Sequence, residues 1–412
     1  MRCVAEKTRL FEWPHSDTKP TRFVVKITAI TTHICHAYRT NWVFVKVLTN
    51  VDGLHGVGEA TLEYKELTVA KACEELEPML VGKDPHRIEE HWQTVYRDAY
   101  WRGGAVLMSA LSAIEMALWD IKGKDLGVPV WQLLGGKVRE QVPCYANGWF
   151  APAKTPDEFA QKAREAVKLG FKALKWDPFG SAYRHIDRQQ LKESMACVGA
   201  VSDAIRDKAD VIIEGHGRFD LPTAVRVGQA LSDFGILWFE EPLPPQNLEG
   251  LAEVKRRISV PVAAGERLYN RWDFRSLFEL RAADFIQPDV SHAGGLSELR
   301  KIAAMAEAYH LPICPHNPSG PVANAATLHL AACTPNFYLL ETMSSDVPWR
   351  TEITNELVHF EEGQMVINDR PGLGIDLDEA AIARHPYQPK TLRHYAGTLT
   401  DIRPDDARSY FN

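Results

Sequence analysis

The chain reads VIIEG at 211–215, LWFEE at 237–241 and VPVAAGE at 260–266, three short apolar runs that each bring a glutamate to their end. Each run is followed by a segment long enough for a helix, a rhythm typical of parallel strands joined by crossover helices. Five further runs continue this rhythm: PCYAN (143–147), the run at 171–175, DFIQPD (284–289), LPICPH (311–316) and FYLLE (337–341). Eight such units over about 225 residues predict a TIM barrel, which we assign to residues 142–369.

Six of the predicted strands end on an ionisable side chain, and these ends recur about once per βα unit. The intervals between them are 26, 26, 23, 27 and 25 residues. Because the carboxyl ends of all strands meet at one face of a barrel, this spacing brings six chemical groups to one mouth. The six residues are Glu214, Glu240, Glu266, Asp289, His316 and Glu341.

The three glutamates on adjacent strand ends predict a metal site. Carboxylates crowded in a partly buried site raise one another's pKa and destabilise the fold unless a cation neutralises them. Oxygen ligands select a hard ion, and Mg²⁺ commonly takes a few carboxylates while keeping positions for water and substrate. We therefore expect Glu214, Glu240 and Glu266 to bind Mg²⁺. For any one of them alone, the alternative is an ordinary glutamate in a loop or a salt bridge.

Two histidines and a lysine at the same mouth are candidates for the chemistry. His316 ends its strand close to Asp289, and a carboxylate beside an imidazole makes the imidazole a better base. His216 lies two residues after Glu214, on the same side of an extended segment, where it could protonate a departing hydroxyl. Lys175 could balance the carboxylates, bind a substrate carboxylate or act as a base. Such a set favours removal of an α-proton from a carboxylate, with a cation stabilising the enolate, followed by loss of water.

A smaller α+β domain is predicted ahead of the barrel, over residues 23–141. A β region is expected at 23–66, with a turn at Asp52-Gly53. Two helices are expected to follow, at 67–81 and at 86–124. Gly127 should end the second helix. Residues 1–22 are predicted to be a polar extension, since they lack the continuous apolar core of a signal peptide.

The composition argues against several classes of function. A net charge of −7, with no long run of Lys and Arg, gives no indication of nucleic-acid binding. The seven cysteines are scattered and form no C-x-x-C pair, so neither a disulfide framework nor a zinc site is expected. No stretch has the apolar length of a membrane span. We expect a cytoplasmic protein that binds neither nucleic acid nor a membrane.

Seven stretches of the chain carry a family resemblance. They read ALWDIKGKDLGVPVWQLLGG (117–136), GHGR (215–218), EEP (240–242), AAGERLYNRWDF (263–274), QPDVSHAGGLSE (287–298), PHNPSGP (315–321) and RPGLGIDLDE (370–379). Together they resemble the enolase superfamily in its mandelate racemase-like branch, from about residue 23 onwards. The likeness is greatest to the D-galactonate dehydratase group of acid-sugar dehydratases.

The resemblance implies a fold and a set of roles. An α+β capping domain would cover a modified TIM barrel, (β/α)₇β, and residues 370–412 would return to the cap. The three glutamates would be metal ligands, His316 the base with Asp289 as its partner, His216 the acid, and Glu341 a group that stabilises the enolate. The residues that we assign to substrate binding are Arg39 and Trp42 in cap loops, and Asp177 and Arg267 at the barrel rim. The resemblance also implies a homo-oligomer, often an octamer.

Two positions depart from the family pattern. The ligand on the third barrel strand is usually aspartate in the galactonate group, whereas this chain has Glu214. The extra methylene moves the carboxylate by about 1.5 Å, the length of one C–C bond. Many relatives carry K-x-K on the second strand, whereas here the two positions are Lys175 and Asp177. Without the second lysine there is one base, His316, which favours one-way dehydration over racemisation.

The sequence therefore predicts a Mg²⁺-dependent dehydratase of a sugar acid, an aldonate such as D-galactonate or D-gluconate. Its product would be a 2-keto-3-deoxy acid, formed through an enediolate. Two alternatives remain open at this point. One is an epimerase or cycloisomerase acting on a sugar acid with the same fold, and the other is a non-catalytic member that binds sugar acids.

Overall fold

The computed structural model describes residues 24–98, 100–391 and 393–409. The predicted extension at 1–22 lies outside these ranges, as does Phe23, the first residue of the predicted cap. The described chain forms a small α+β unit, a closed barrel and a C-terminal segment that contacts both. Among the helices of these described ranges, none combines the length and the apolar character needed to cross a membrane.

The N-terminal unit is a three-stranded antiparallel sheet covered by helices. Its strands are β1 (Ile27–Ala37), β2 (Thr40–Thr49) and β3 (His55–Glu59), in that spatial order. Its helices are α1 (Glu66–Glu75), α2 (Glu77–Leu80), α3 (Ile88–Gln93), α4 (Ala105–Leu126) and α5 (Val130–Leu133), with a π-helical turn at Thr94–Asp98. Glycine lets α4 lie directly on β3, because a Cβ at Gly56 or Gly58 would stand 1.9 Å from a carbonyl oxygen of α4.

The prediction of a single helix over 86–124 is wrong, because the structure has two helices there, α3 and α4. Gly103 and Gly104 separate them, with φ of 73° and 76°. Two successive residues in this left-handed region cannot continue a right-handed helix, which explains the break. The predicted end at Gly127 is confirmed, because this residue closes α4 with φ of 67°.

The barrel follows, and the predicted (β/α)₇β architecture is confirmed. Its strands are β4 (Gln141–Asn147), β5 (Ala173–Trp176), β6 (Asp210–Glu214), β7 (Trp238–Glu240), β8 (Val262–Ala264), β9 (Phe285–Ile286) and β10 (Leu340–Met343). Its helices are α6 (Pro156–Lys168), α7 (Arg188–Ile205), α8 (Leu221–Leu231), α9 (Leu248–Arg257), α10 (Arg271–Leu280), α11 (Gly295–Ala308) and α12 (Pro321–Cys333). The strands pair in parallel in chain order, and β10 pairs with β4 to close the ring.

One barrel position is much shorter than the sequence suggests. The run predicted at 311–316 contributes a single bridge residue, Ile313, which pairs in parallel with Ile286 and with Phe337. Pro312 and Pro315 flank it closely, and proline cannot donate to a strand ladder. The bridge still connects β9 to the chain that leads into β10, so the barrel remains closed.

The C-terminal segment contacts both units. Before it, still within the range predicted for the barrel, an antiparallel hairpin of β11 (Phe360–Glu361) and β12 (Gln364–Val366) pairs with β4. Helix α13 (Glu379–Arg384) then lies against β1, and the His36 amide donates to the carbonyl of His385 (2.8 Å). Asn41 of β2 donates to the carbonyl of Gln388 (2.9 Å).

Two buried carboxylates of the cap bind helix N-termini of the barrel. Glu59, at the end of β3, accepts the amide of Gly320 (2.6 Å) at the start of α12. Glu115, in α4, accepts the amide of Leu296 (2.7 Å) in the first turn of α11. The unpaired amides of a helix N-terminus carry partial positive charge, so each carboxylate both satisfies donors and stabilises the helix. These contacts hold the cap over the barrel.

Asp376 provides a test of the contact between cap and C-terminal segment. Its carboxylate lies 2.7 Å from His55 Nε2 and 3.5 Å from Lys124 Nζ. Burial opposes the charge, but these two partners lower the pKa of Asp376 to about 2. A carboxylate with a lowered folded-state pKa stabilises the fold above its unfolded value, and this stability is lost as the pH falls through the folded value.

We expect Asp376→Asn to lower the free energy of unfolding by about 1–2 kcal/mol at pH 6. The difference from the wild type should shrink as the pH falls from about 4 towards about 2, since the wild-type carboxylate is then protonated. Urea titrations at a series of pH values measure this difference. Asp52→Asn, in an exposed turn, is the control. A difference that stays constant over this range would contradict the assignment.

Candidate active site

The three glutamates predicted as metal ligands meet at the barrel mouth. Glu214 ends β6 and Glu240 ends β7, and the two are paired in register across the parallel strands. Glu266 follows two residues after β8. One carboxylate oxygen from each residue lies within 4.8 Å of the others. The barrel repeat therefore brings together residues that are 26 positions apart in sequence.

The chemistry of this cluster fits a hard divalent cation. Glu214 Oε2 is buried and accepts no hydrogen bond within the described chain, and its nearest cation is the Lys175 ammonium at 3.4 Å, so this oxygen can still act as a ligand. Burial and the charge of Glu214 raise the pKa of Glu240 to about 8, although Lys175 opposes the shift. Burial is the larger of the two causes, and repulsion from Glu214 adds to it. A bound cation would relieve that repulsion.

Lys175 supplies part of the compensating charge. Its ammonium group, at the end of β5, lies 2.6 Å from Glu240, 3.0 Å from Glu341 and 3.4 Å from Glu214. Burial favours the neutral amine, but the carboxylates raise the pKa of Lys175 well above its usual value. In the same way, Lys175 holds the pKa of Glu341 at about 2 against the effect of burial. Of the three roles considered from sequence, this geometry supports a fixed cation.

His316 and Asp289 form the predicted pair. His316 Nδ1 lies 2.7 Å from Asp289 Oδ2, and Nε2 is directed to the cluster, 3.5 Å from Glu266 and 4.0 Å from Glu341. Burial lowers the pKa of His316, but Glu266 and Glu341 raise it to about 10. Neutralising Glu266 with a cation would remove the largest of the raising effects, which suits a histidine that must be neutral to accept a proton.

His216 has an aspartate partner of its own. Its Nδ1 lies 2.7 Å from Asp177 Oδ2, and Asp177 also pairs with the buried guanidinium of Arg218. The Asp177 side chain is 1% exposed. The structure thus corrects the assignment of Asp177 to substrate binding: its carboxylate is behind His216, because it also accepts the amide of Phe179 (2.9 Å) and so turns into the loop after β5.

A cavity of about 410 Å³ lies over the cluster. Barrel, cap and C-terminal segment all contribute to its wall, and Arg39 and Arg267 line it as the sequence assignment requires. The lining residues are Arg39, Thr40, Thr61, Leu62, Glu63, Tyr64, Asn147, Lys175, His216, Glu266, Arg267, Tyr269, His292, His316, Pro318, Ser319, His394 and Tyr395. Arg39 pairs with Glu63 (2.5 Å) and Arg267 with Glu241.

Trp42 does not join these residues, and its assignment to substrate binding is corrected. Its side chain is 2% exposed and belongs to the hydrophobic core of the cap. The ring lies 6.3 Å from that of Phe44 and under the guanidinium of Arg350 (5.2 Å). Side chains alternate across a strand, and Trp42 and Phe44 share the face of β2 that is turned to the core.

Sequence reasoning missed several residues of the cavity. Asn147 ends β4 and donates to Glu341 (2.7 Å), so the rule of strand-end residues could have found it. Tyr64 in the cap and His394 and Tyr395 in the C-terminal segment come from other parts of the chain. The barrel repeat does not predict where those loops go, and no local signal marks them.

Comparison with known proteins identifies the family. Residues 18–135 match the mandelate racemase / muconate lactonizing enzyme N-terminal domain, and residues 158–381 match the enolase C-terminal domain-like family. This chain belongs to the enolase superfamily. Its fold agrees with that of a mandelate racemase/muconate lactonizing enzyme from Sulfitobacter sp, with a TM-score of 0.84 and 32% identity over 88% of this chain and 96% of the other.

Curated relatives of this enolase-superfamily chain are named as sugar-acid dehydratases. A D-galactonate dehydratase family member from Streptomyces bingchenggensis is 37% identical over 88% of this chain and 94% of the relative. A D-gluconate dehydratase from Thermoproteus tenax is 34% identical over 85% of this chain and 71% of the relative. These names are consistent with the predicted enzyme class, the hydro-lyases, and at this level of identity they support a sugar-acid dehydratase.

The metal site can be tested by binding. We expect Mg²⁺ to raise the melting temperature of the wild type, because a ligand that binds only the folded state stabilises it. In Glu214→Gln, which removes the negative charge of one of the three carboxylates, the dissociation constant for Mg²⁺ should rise by about tenfold or more. Calorimetric titration measures it directly. Glu249→Gln, on the exposed face of α9, is the control. Equal Mg²⁺ affinity in all three proteins would refute the site.

Proposed function

We propose that this chain is a Mg²⁺-dependent dehydratase that converts an aldonate, such as D-galactonate or D-gluconate, into a 2-keto-3-deoxy acid. One observation carries the proposal. Two histidines face the cavity beside the glutamate cluster, and each is held through Nδ1 by a buried aspartate at 2.7 Å: His316 by Asp289 and His216 by Asp177. A reaction that removes a proton and a hydroxide requires one base and one acid.

The two histidines have distinct tasks in this proposal. His316 Nε2 accepts the proton from C2, and the electron pair of that C–H bond forms the enediolate of the substrate. The hydroxyl on C3 then leaves with a proton from His216, so that one molecule of water is lost. The resulting enol tautomerises to the 2-keto acid. The aspartates hold both rings in the required orientation.

Glu214, Glu240 and Glu266 would hold Mg²⁺, which when bound supplies positive charge to stabilise the negative charge that develops on the substrate carboxylate. Lys175 is held by its three carboxylate contacts and has the charge of a cation, so it is unsuited to act as a second base. Racemisation needs bases on both faces of C2. The residues of the cavity therefore favour dehydration over epimerisation.

An aldonate screen tests the function. The purified protein with Mg²⁺ is incubated with aldonates of four to six carbons, and 2-keto-3-deoxy acids are assayed. We expect one or a few stereoisomers to react. Exchange of the C2 proton with deuterium without any keto acid would instead indicate an epimerase. Absence of both reactions across the set would leave the non-catalytic alternative.

The roles of the histidines can be separated with two variants. His216→Asn should slow formation of the keto acid by about 10²–10⁴-fold, because the leaving hydroxyl loses its proton donor. Exchange of the C2 proton with deuterium from the solvent should continue in this variant, since His316 is intact. His316→Asn should lose both reactions. Mass spectrometry of the recovered substrate measures the exchange. If His216→Asn loses exchange as fully as His316→Asn, the two roles are assigned wrongly.

A further inference from the structure

Tyr64 is a polar residue of the cavity wall that the proposed chemistry leaves unused. It follows β3 in the cap, and its backbone has φ of 62°, a conformation that costs energy for a side chain of this size. Its hydroxyl is buried and has no hydrogen-bond partner among the described residues. A buried hydroxyl without a partner is unfavourable unless a ligand pairs with it.

His394 lies next to Tyr64 and comes from the C-terminal segment. Its ring is 6.2 Å from that of Tyr64 and 5.2 Å from that of His216, in edge-on contact with both. Burial and the neighbouring His216 lower the pKa of His394, which favours the neutral ring. A neutral imidazole offers one donor and one acceptor. Those are the hydrogen-bonding groups that suit a hydroxyl.

Tyr395 fixes this part of the C-terminal segment against the proposed acid. Its hydroxyl donates to the carbonyl of His216 (2.9 Å), and its ring lies under the guanidinium of Arg218 (5.2 Å). The position of His394 is thereby determined by the same loop that carries His216. The C-terminal segment is part of the site rather than a distant tail.

The three side chains form a row, His216, His394 and Tyr64, that leads from the barrel mouth to the cap. His216 acts on the C3 hydroxyl in the proposed reaction, and we take the carbons after C3 to extend from His216 along this row. Since each C–C bond is about 1.5 Å long, C5 and C6 lie roughly 3 to 5 Å from C3. That distance is comparable with the 5.2 Å between the rings of His216 and His394.

We propose that Tyr64 and His394 bind the hydroxyls of the substrate beyond C3, so that the cap and the C-terminal segment together select for the length of a polyhydroxy acid. This inference rests on the proposed function, because it takes the orientation of the substrate from the role of His216. It assigns to Tyr64 the partner that its hydroxyl lacks in the described chain.

The test compares substrates of different length in Tyr64→Phe and His394→Asn. We expect kcat/KM for a six-carbon aldonate to fall by about tenfold or more in each variant, since a site built around a hydroxyl loses that contact. For a four-carbon aldonate the change should be smaller than about threefold. Matched controls are Tyr338→Phe and His359→Asn, two exposed residues outside the cavity wall, which should leave both values unchanged.

A binding measurement separates this inference from the proposed function. Calorimetry with Mg²⁺ in a His316→Asn background gives the affinity for each aldonate without turnover. One outcome is that the wild type dehydrates no aldonate, but binds six-carbon acids more tightly than four-carbon acids, and that Tyr64→Phe abolishes this preference. In that case the inference about Tyr64 stands and the proposed function is wrong. If the wild type is active and the variants lose nothing, or lose equally for every length, the inference is wrong. If no aldonate binds, both are wrong.

Discussion

Repulsion among buried carboxylates at one barrel mouth is the constraint on which the rest of this structure depends. Parallel strands in register place Glu214 beside Glu240, and the closing strand adds Glu341. Charges this close, removed from water, would destabilise the fold by several kcal/mol if left alone. Lys175 contacts all three, and the pKa of Glu240 is nevertheless raised to about 8. Lys175 therefore compensates these carboxylates only in part, and a cation bound between Glu214, Glu240 and Glu266 would complete the compensation.

The cap contributes to the wall of the cavity over this cluster. Glu59 and Glu115 bind the N-termini of α12 and α11, so the cap is attached to the same helices that follow the catalytic strand ends. Tyr395 of the C-terminal segment also lines this cavity, and its hydroxyl donates to the carbonyl of His216 (2.9 Å). Electrostatic interactions between a cation, a substrate carboxylate and fixed dipoles are stronger in such a partly buried site than in solution.

How much of this could be read from the sequence depends on whether a residue follows the barrel repeat. Glu214, Glu240 and Glu266 are one βα unit apart, so spacing alone brings them together, and the pair His316–Asp289 follows the same rule. The strand pattern predicts correctly that Asp177 lies at the barrel rim. It does not predict that the carboxylate contacts His216 rather than the substrate, because the turn after β5 determines the direction of this side chain. Trp42, Tyr64 and His394 belong to a strand face and loops outside the repeat, whose approach to the mouth depends on tertiary packing.

Glu214 connects the proposed metal site to His216, the proposed acid. Glu214 Oε1 accepts the amide of His216, two residues further along the chain (2.6 Å). Its other oxygen, Oε2, accepts no hydrogen bond in the described chain and lies 3.4 Å from the Lys175 ammonium. His216 itself has φ of 50°, a strained conformation that this hydrogen bond helps to maintain. One carboxylate thus contributes an oxygen to the cluster and positions the backbone of His216, so a change at Glu214 would alter both.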